Sequence, residues 1–140
     1  MEKILIINGP NLNLLGKREP SVYGTRDFEG YLAELRARYS GIVIDYRQTN
    51  VEGDIIKILH KADTENDTGI ILNAGGYTHT SVSIPDPIGG ISIPVVGVLI
   101  SCVQAREEFR HVSLIAPHCK GTIMGFGLDS YRLAVESILA

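Results

Sequence analysis
The chain has 140 residues, a formal net charge of −3 and a hydrophobic content of 44%. That length is most simply one domain, residues 1–140, with enough chain to bury a real core. The mild acidic balance without a basic cluster argues against a nucleic-acid surface, and apolar runs of about seven residues fall far short of the roughly 20 that cross a bilayer.

A charged residue and a strand follow Met1 directly, so no signal peptide is expected. Cys102 and Cys119 make no disulfide framework, and a reduced, cytoplasmic protein is the expectation. No internal repeat, low-complexity tract or linker interrupts the chain.

Lys3–Asn8 reads as the first strand, apolar from Ile4 to Ile7. Asp27–Tyr39 reads as a helix, because Phe28, Leu32, Leu35 and Tyr39 recur on one face. Thr25 or Asp27 is its candidate cap, and Gly41 ends it. Ile42–Arg47 is the second strand. Asp54–Lys61 is the second helix, with Ile55, Ile58, Leu59 and Ala62 turned inward. Gly69–Asn73 is a short apolar strand of the kind that parallel sheets bury. Thr80–Gly90 falls where a third crossover helix belongs, but it holds Pro85, Pro87, Gly89 and Gly90. An interior proline costs about 3 kcal/mol and a glycine close to 1, so this helix should be broken or very short. Pro94–Ile100 and Thr122–Phe126 are strands four and five. Leu128–Leu139 closes the chain as a helix with Tyr131, Val135 and Ile138 inward. Alternating strands and helices imply an α/β three-layer sandwich around a five-stranded parallel sheet with right-handed crossovers. The flavodoxin-like strand order 2-1-3-4-5 is the natural arrangement.

The segment Asn8–Gly24 is a long loop at the exit of the first strand, where open α/β sheets bind ligands. Its glycines and prolines set the backbone. Its Asn11, Arg18 and Tyr23 bring functional groups. A phenol titrates near 10 and needs a neighbouring cation to ionise near neutrality. Arg18, five residues upstream of Tyr23, cannot lose its own charge. A packed tyrosine beside a solvated arginine is the bland alternative, and Pro10-Asn11 is also ordinary turn chemistry.

This loop closely resembles the start of the type II 3-dehydroquinate dehydratases. Later blocks resemble the same family in the same order: Arg47–Asp54, Ile71–Ser81 with its Asn73-Ala74-Gly75-Gly76 run, Ala105–His111, and Gly125-Phe126-Gly127. The match runs essentially from Lys3 to Leu139. The resemblance implies a flavodoxin-like fold and trans-dehydration of 3-dehydroquinate through an enolate, with no metal or cofactor. It implies Tyr23 as base, Arg18 as its activator and Asn11 as holder of a water on the enolate oxygen. It implies that Asn73 and His79 bind the substrate, that backbone amides at Ile100 and Ser101 hold its carboxylate, and that Arg110 is a binding cation. Arg106 would order the lid loop. Asp86 matches an acidic position supplied across a subunit contact, in a family that is typically a homododecamer built from trimers.

The chain departs from the family pattern at one place above all. The strand-four Glu-X-His pair, in which His protonates the leaving hydroxyl, is Gly97 and Leu99 here. The usual Asn and His that follow are Cys102 and Gln104, and a His of the second block is Val51. General acid help is typically worth 10²–10⁴-fold. A dehydratase with water or another group as acid, and a non-catalytic or weakened relative that binds a shikimate-like acid, are therefore both open. His111 and His118 are weak substitutes for the acid. No paired spacing suggests a metal. A flavodoxin-like nucleotide or phosphate binder is a third reading, weakened by the lack of any Gly-rich phosphate motif.

Overall fold
The computed structural model describes residues 1–16 and 27–140. Five strands run parallel: β1 (Lys3–Asn8), β2 (Val43–Gln48), β3 (Gly69–Asn73), β4 (Val95–Leu99) and β5 (Gly121–Met124). Their order is β2-β1-β3-β4-β5, as the sequence implies. The helices are α1 (Phe28–Arg38), α2 (Glu52–Thr64), α3 (Tyr77–Thr80), α4 (Pro85–Gly90) and α5 (Asp129–Leu139). None of the described helices is long and apolar enough to cross a membrane.

Alternation along the strands divides the core in two. Ile4, Ile6, Ile71, Val96 and Val98 point toward α1 and α5, where Phe28, Leu32, Leu35, Tyr131, Val135 and Ile138 cover them. Leu5, Ile7, Ile70, Leu72 and Val95 point the other way, onto Ile55, Leu59 and Ala62 of α2 and Ile84 and Ile88 beside and in α4. The inward residues read from the helical period are therefore the observed ones. Tyr39 and Ile58 are the exceptions, since each is half-buried at the edge of its layer.

The element ends have local causes. The Asp27 carboxylate accepts from the Gly30 amide at 2.9 Å and starts α1, which settles the choice of cap among the described residues. The second helix starts two residues earlier than Asp54 and runs to Thr64. Glu52 and Asp54 in its first turn favour the positive end of the helix dipole. The fifth strand stops at Met124 because Gly125 turns the chain at φ +91°.

The third crossover is broken as its prolines require, into α3 and α4. Pro85 and Pro87 lie in the first turn of α4, where the missing amide hydrogens have no intrahelical acceptor to lose. Ser81 joins the two pieces. Its hydroxyl accepts from the Ile84 amide at 3.0 Å and donates to Glu52 Oε2 on α2.

One polar network lies inside this apolar frame. Asn8 and Asn73, the last residues of β1 and β3, are register partners and are fully or nearly fully buried. The hydroxyl of buried Tyr131, from α5, donates to Asn8 Oδ1 at 2.7 Å and accepts from Asn73 Nδ2 at 3.0 Å. Asn8 Nδ2 reaches the Tyr46 hydroxyl at 3.4 Å, and Asn73 Oδ1 accepts from the Gly75 amide at 3.1 Å. The Tyr131 ring meets Phe28 edge-on at 4.9 Å, and Phe28 stacks on Tyr46 at the same distance. Burial pushes the Tyr131 phenol far above its ordinary range, more strongly than its two amide partners pull it down, so it serves as a neutral hydrogen-bonding group.

Tyr131→Phe should therefore cost about 1–3 kcal/mol, the penalty for leaving Asn8 Oδ1 and an Asn73 N–H buried without a partner. Urea unfolding should show a lower midpoint with an unchanged m-value.

Candidate active site
The exits of β1 and β3 are locked together by backbone contact. The Gly9 amide donates to the Asn73 carbonyl at 2.7 Å. A Cβ at Gly9 would lie 2.7 Å from the Ala74 carbonyl oxygen, so only glycine fits there. Gly75 sits at φ +59° with the Pro10 carbonyl 3.0 Å from where a Cβ would be. The two glycines let the loops interlock, and Asn11 follows immediately. Asn11 adopts the left-handed region at φ 67°. Its amide donates to Asn50 Oδ1 at 3.0 Å. Gln48 Nε2 ties the same Asn50 oxygen and the Gly9 carbonyl at 3.2 Å each.

A cavity of about 160 Å³ opens at the carboxyl ends of β1, β3 and β4. Asn11, Asn73, His79, Ile100, Ser101, Arg106 and Arg110 line it, together with Leu99. Seven of the residues singled out in the sequence therefore converge on one space. Asp86 does not: it is exposed on α4, outside this cavity. Arg18 and Tyr23, and most of the expected lid loop Ser21–Asp27, lie outside the described residues.

Each side chain is held from behind. Asn73 spends its carbonyl on Gly75 and one amide hydrogen on Tyr131. His79 Nδ1 lies 2.7 Å from the Val112 carbonyl. A carbonyl can only accept, so the proton of that bond belongs to Nδ1 and the other ring nitrogen, Nε2, is the free one in this pair. Arg106, with a side chain 10% exposed, reaches Ser101 Oγ at 3.5 Å. Arg110 Nε pairs with Glu107 Oε2, and its guanidinium lies over the Phe109 ring at 5.0 Å. That bond to Arg110 holds the Glu107 carboxyl below the usual range. Two guanidinium groups beside backbone at a strand exit suit a carboxylate ligand.

Gly97 and Leu99 occupy the place of the expected acid pair, and their neighbours are adapted to them. A Cβ at Gly97 would stand 3.3 Å from Thr122 Oγ1 and 3.5 Å from Cys119 Sγ. Thr122 would have to give by a few tenths of an ångström to admit a side chain at 97, beside a small cavity that Gly97 and Leu99 line. Burial pushes the Cys119 thiol up to about 11. Among the described residues no cluster of His, Cys, Asp and Glu could hold a metal ion.

Reading the sequence alone did not bring out Asn8, Asn50 or the hydroxyl of Tyr131 as site supports. Asn8 carried one signal: a polar residue ending an otherwise apolar strand. Tyr131 carried none, because its helical spacing accounts for it as core.

The model of the family described as Dehydroquinase class II matches residues 2–139. A 3-dehydroquinate dehydratase of Rhizobium johnstonii is 52% identical over 139 residues, covering 98% of this chain and 95% of that one. One from an Exiguobacterium species is 53% identical, covering 98% and 94%. Among solved structures, the type II dehydroquinase of Butyrivibrio crossotus superposes with a TM-score of 0.94 at 42% identity, covering 99% of this chain and 98% of that one.

The two cysteines should differ in reactivity. Cys102 is exposed, whereas the raised Cys119 thiol forms almost no thiolate at pH 8. Titration of the native protein with a chromogenic disulfide should count one fast thiol, and the second should react only on unfolding.

Proposed function
This chain belongs to the class II dehydroquinase family, and from that premise we propose that it removes water from 3-dehydroquinate to give 3-dehydroshikimate, a hydro-lyase step of the shikimate route to aromatic amino acids. One observation supports the reading above the others: Asn11, Asn73, His79, Ser101 and two arginines, from four separate sequence blocks, line one cavity.

The reaction needs a base for the proton beside the carbonyl, support for the enolate oxygen, and an acid for the departing hydroxyl. Tyr23 is the base, kept ionised by Arg18. Asn11 holds a water on the enolate oxygen, the kind of oxyanion support that is often the largest catalytic term. The left-handed turn at Asn11 is held by the bond from its amide to Asn50, and Asn11 lines the cavity. The substrate carboxylate rests on the backbone amides of Ile100 and Ser101, with Arg110 as a binding cation and Arg106 ordering the lid loop. Asn73 and His79 hold ring hydroxyls. Proton transfers alone complete such an elimination, so the reading calls for neither metal nor cofactor.

Leu99 favours a second reading, a protein that binds a shikimate-like acid without turning it over. Relatives about half identical over the whole chain and named as dehydratases weigh against it. Dehydroquinate turnover, followed by the ultraviolet absorbance of the conjugated product, decides between the two. In the same assay Tyr23→Phe should abolish turnover while calorimetry still detects binding. Unchanged turnover in that variant would remove Tyr23 from the mechanism.

The finer reading is a cytoplasmic homododecamer in which a neighbour's Asp86 completes each site. Free cysteines and the exposed position of Asp86 on α4 support it. So do the exposed apolar side chains of Val51 and Val82, which flank the Ser81–Glu52 hydrogen bond. Light scattering should give a mass of several subunits, and Asp86→Asn should weaken kcat/KM without altering that mass. A fully active monomer would sink the proposal.

A further inference from the structure
We propose that Glu107 is a positioning residue for substrate binding: its two carboxylate oxygens hold the guanidinium groups of Arg110 and Arg106 where both line the cavity, ready for a ligand carboxylate. The inference deepens the dehydratase reading above and rests on it. Both arginines are among the residues that line the cavity, and Glu107 is not. Its side chain is 53% exposed, against 21% for Arg110 and 10% for Arg106. Glu107 therefore stands outside the site and reaches it through its two neighbours.

Each oxygen has its own partner. Oε2 accepts from Arg110 Nε, and Oε1 lies 3.9 Å from Arg106 Nη2. Two guanidinium groups that serve one anion must sit close together, and like charges repel. A carboxylate against both offsets that repulsion. The bond to Arg110 holds the Glu107 carboxyl below the usual range, so its charge is present at neutral pH. Arg110 is fixed twice, because its guanidinium also lies over the Phe109 ring at 5.0 Å. Glu107 takes the Nε hydrogen, and among the described residues no bond takes the Nη hydrogens, which form a fork suited to a carboxylate. Arg106 connects the same carboxylate to the strand exit, since its Nη1 reaches Ser101 Oγ at 3.5 Å.

The backbone holds Glu107 in turn. The Arg110 amide donates to the Glu107 carbonyl at 2.9 Å, and the His111 amide donates to the Glu108 carbonyl at 3.0 Å. His111 Nε2 lies 3.0 Å from the Arg106 carbonyl, so the imidazole closes residues 106–111 on themselves. Glu108, one residue further on, is exposed, and its carboxylate makes no such contact among the described residues. It carries the same charge without the same geometry, which makes it the natural control.

Glu107→Gln keeps the shape of the side chain and removes its charge. In steady-state turnover of 3-dehydroquinate it should raise KM about tenfold, the worth of roughly one charge-assisted hydrogen bond, while kcat stays within about threefold. Glu108→Gln, the same change of charge on an exposed side chain, should move KM by less than about twofold. In an Arg110→Ala background, Glu107→Gln should raise KM by no more than about threefold, because most of its effect passes through that guanidinium. Three outcomes would each overturn the assignment: an unchanged KM in Glu107→Gln, an equal rise in Glu108→Gln, or a further rise of about tenfold on top of Arg110→Ala. Parent protein without turnover would instead overturn the dehydratase reading. The comparison is then made on the calorimetric Kd for 3-dehydroquinate, where equal values in parent and Glu107→Gln would separately remove the role given to Glu107.

Discussion
The hydroxyl of Tyr131 is the contact on which the site depends. It is buried in the layer between the sheet and α5, and it bridges the side chains that end β1 and β3. Those two residues are where the sheet stops being hydrocarbon and the cavity begins. Each buried amide needs its partners, since an unpaired one costs more than a paired one gains. Tyr131 meets that need for both at once. It thereby fixes the rotamer of Asn73, which faces the cavity, from a helix more than fifty residues away in the chain. Its burial, which keeps the phenol neutral, is part of the arrangement. A phenolate there would lose the proton that it donates to Asn8.

The opposite end of the sheet is organised by charge instead. Lys3 Nζ lies 3.2 Å from Glu65, 3.6 Å from Asp67 and 3.7 Å from Asp45, joining the start of β1 to β2 and to the turn before β3. Lys3 and Glu65 are partly exposed, so these pairs contribute little each. Asp67 differs, because its side chain is only 2% exposed and burial holds its carboxyl above the usual range despite the nearby ammonium. The sheet thus has a solvated, ionic end and a dry, amide-lined end. The candidate cavity belongs to the second, where the amide side chains are held by hydrogen bonds.

Gly97 and Leu99 show how a departure from a family pattern is absorbed. A small cavity remains beside Gly97 and Leu99. Thr122 and Cys119 come up against the position a side chain at 97 would take, and the Cys119 thiol is buried by that packing. Leu99 turns one wall of the cavity apolar without blocking it. Polar groups remain in the lining, from Asn11, Asn73 and His79.

Much of this was determined by the sequence itself. Strand and helix periods are set by which side chains must leave water, and they place all five strands and the faces of α1, α2 and α5. The prolines at 85 and 87 foretell the broken crossover, because a missing amide hydrogen is a local fact. The blocks around Asn11, Asn73, Ser101 and Arg110 name most of the cavity wall. What tertiary structure alone decided is which of these residues meet, and through what. The Tyr131 bridge spans 58 residues to Asn73 and 123 to Asn8, and helical spacing marks Tyr131 only as core. The orientation of His79 depends on a carbonyl 33 residues away, and a backbone carbonyl has no letter in a sequence. Local rules are written in side chains and their spacing. Long-range hydrogen bonds between a side chain and a distant partner depend on how the layers pack, and only the folded chain settles that.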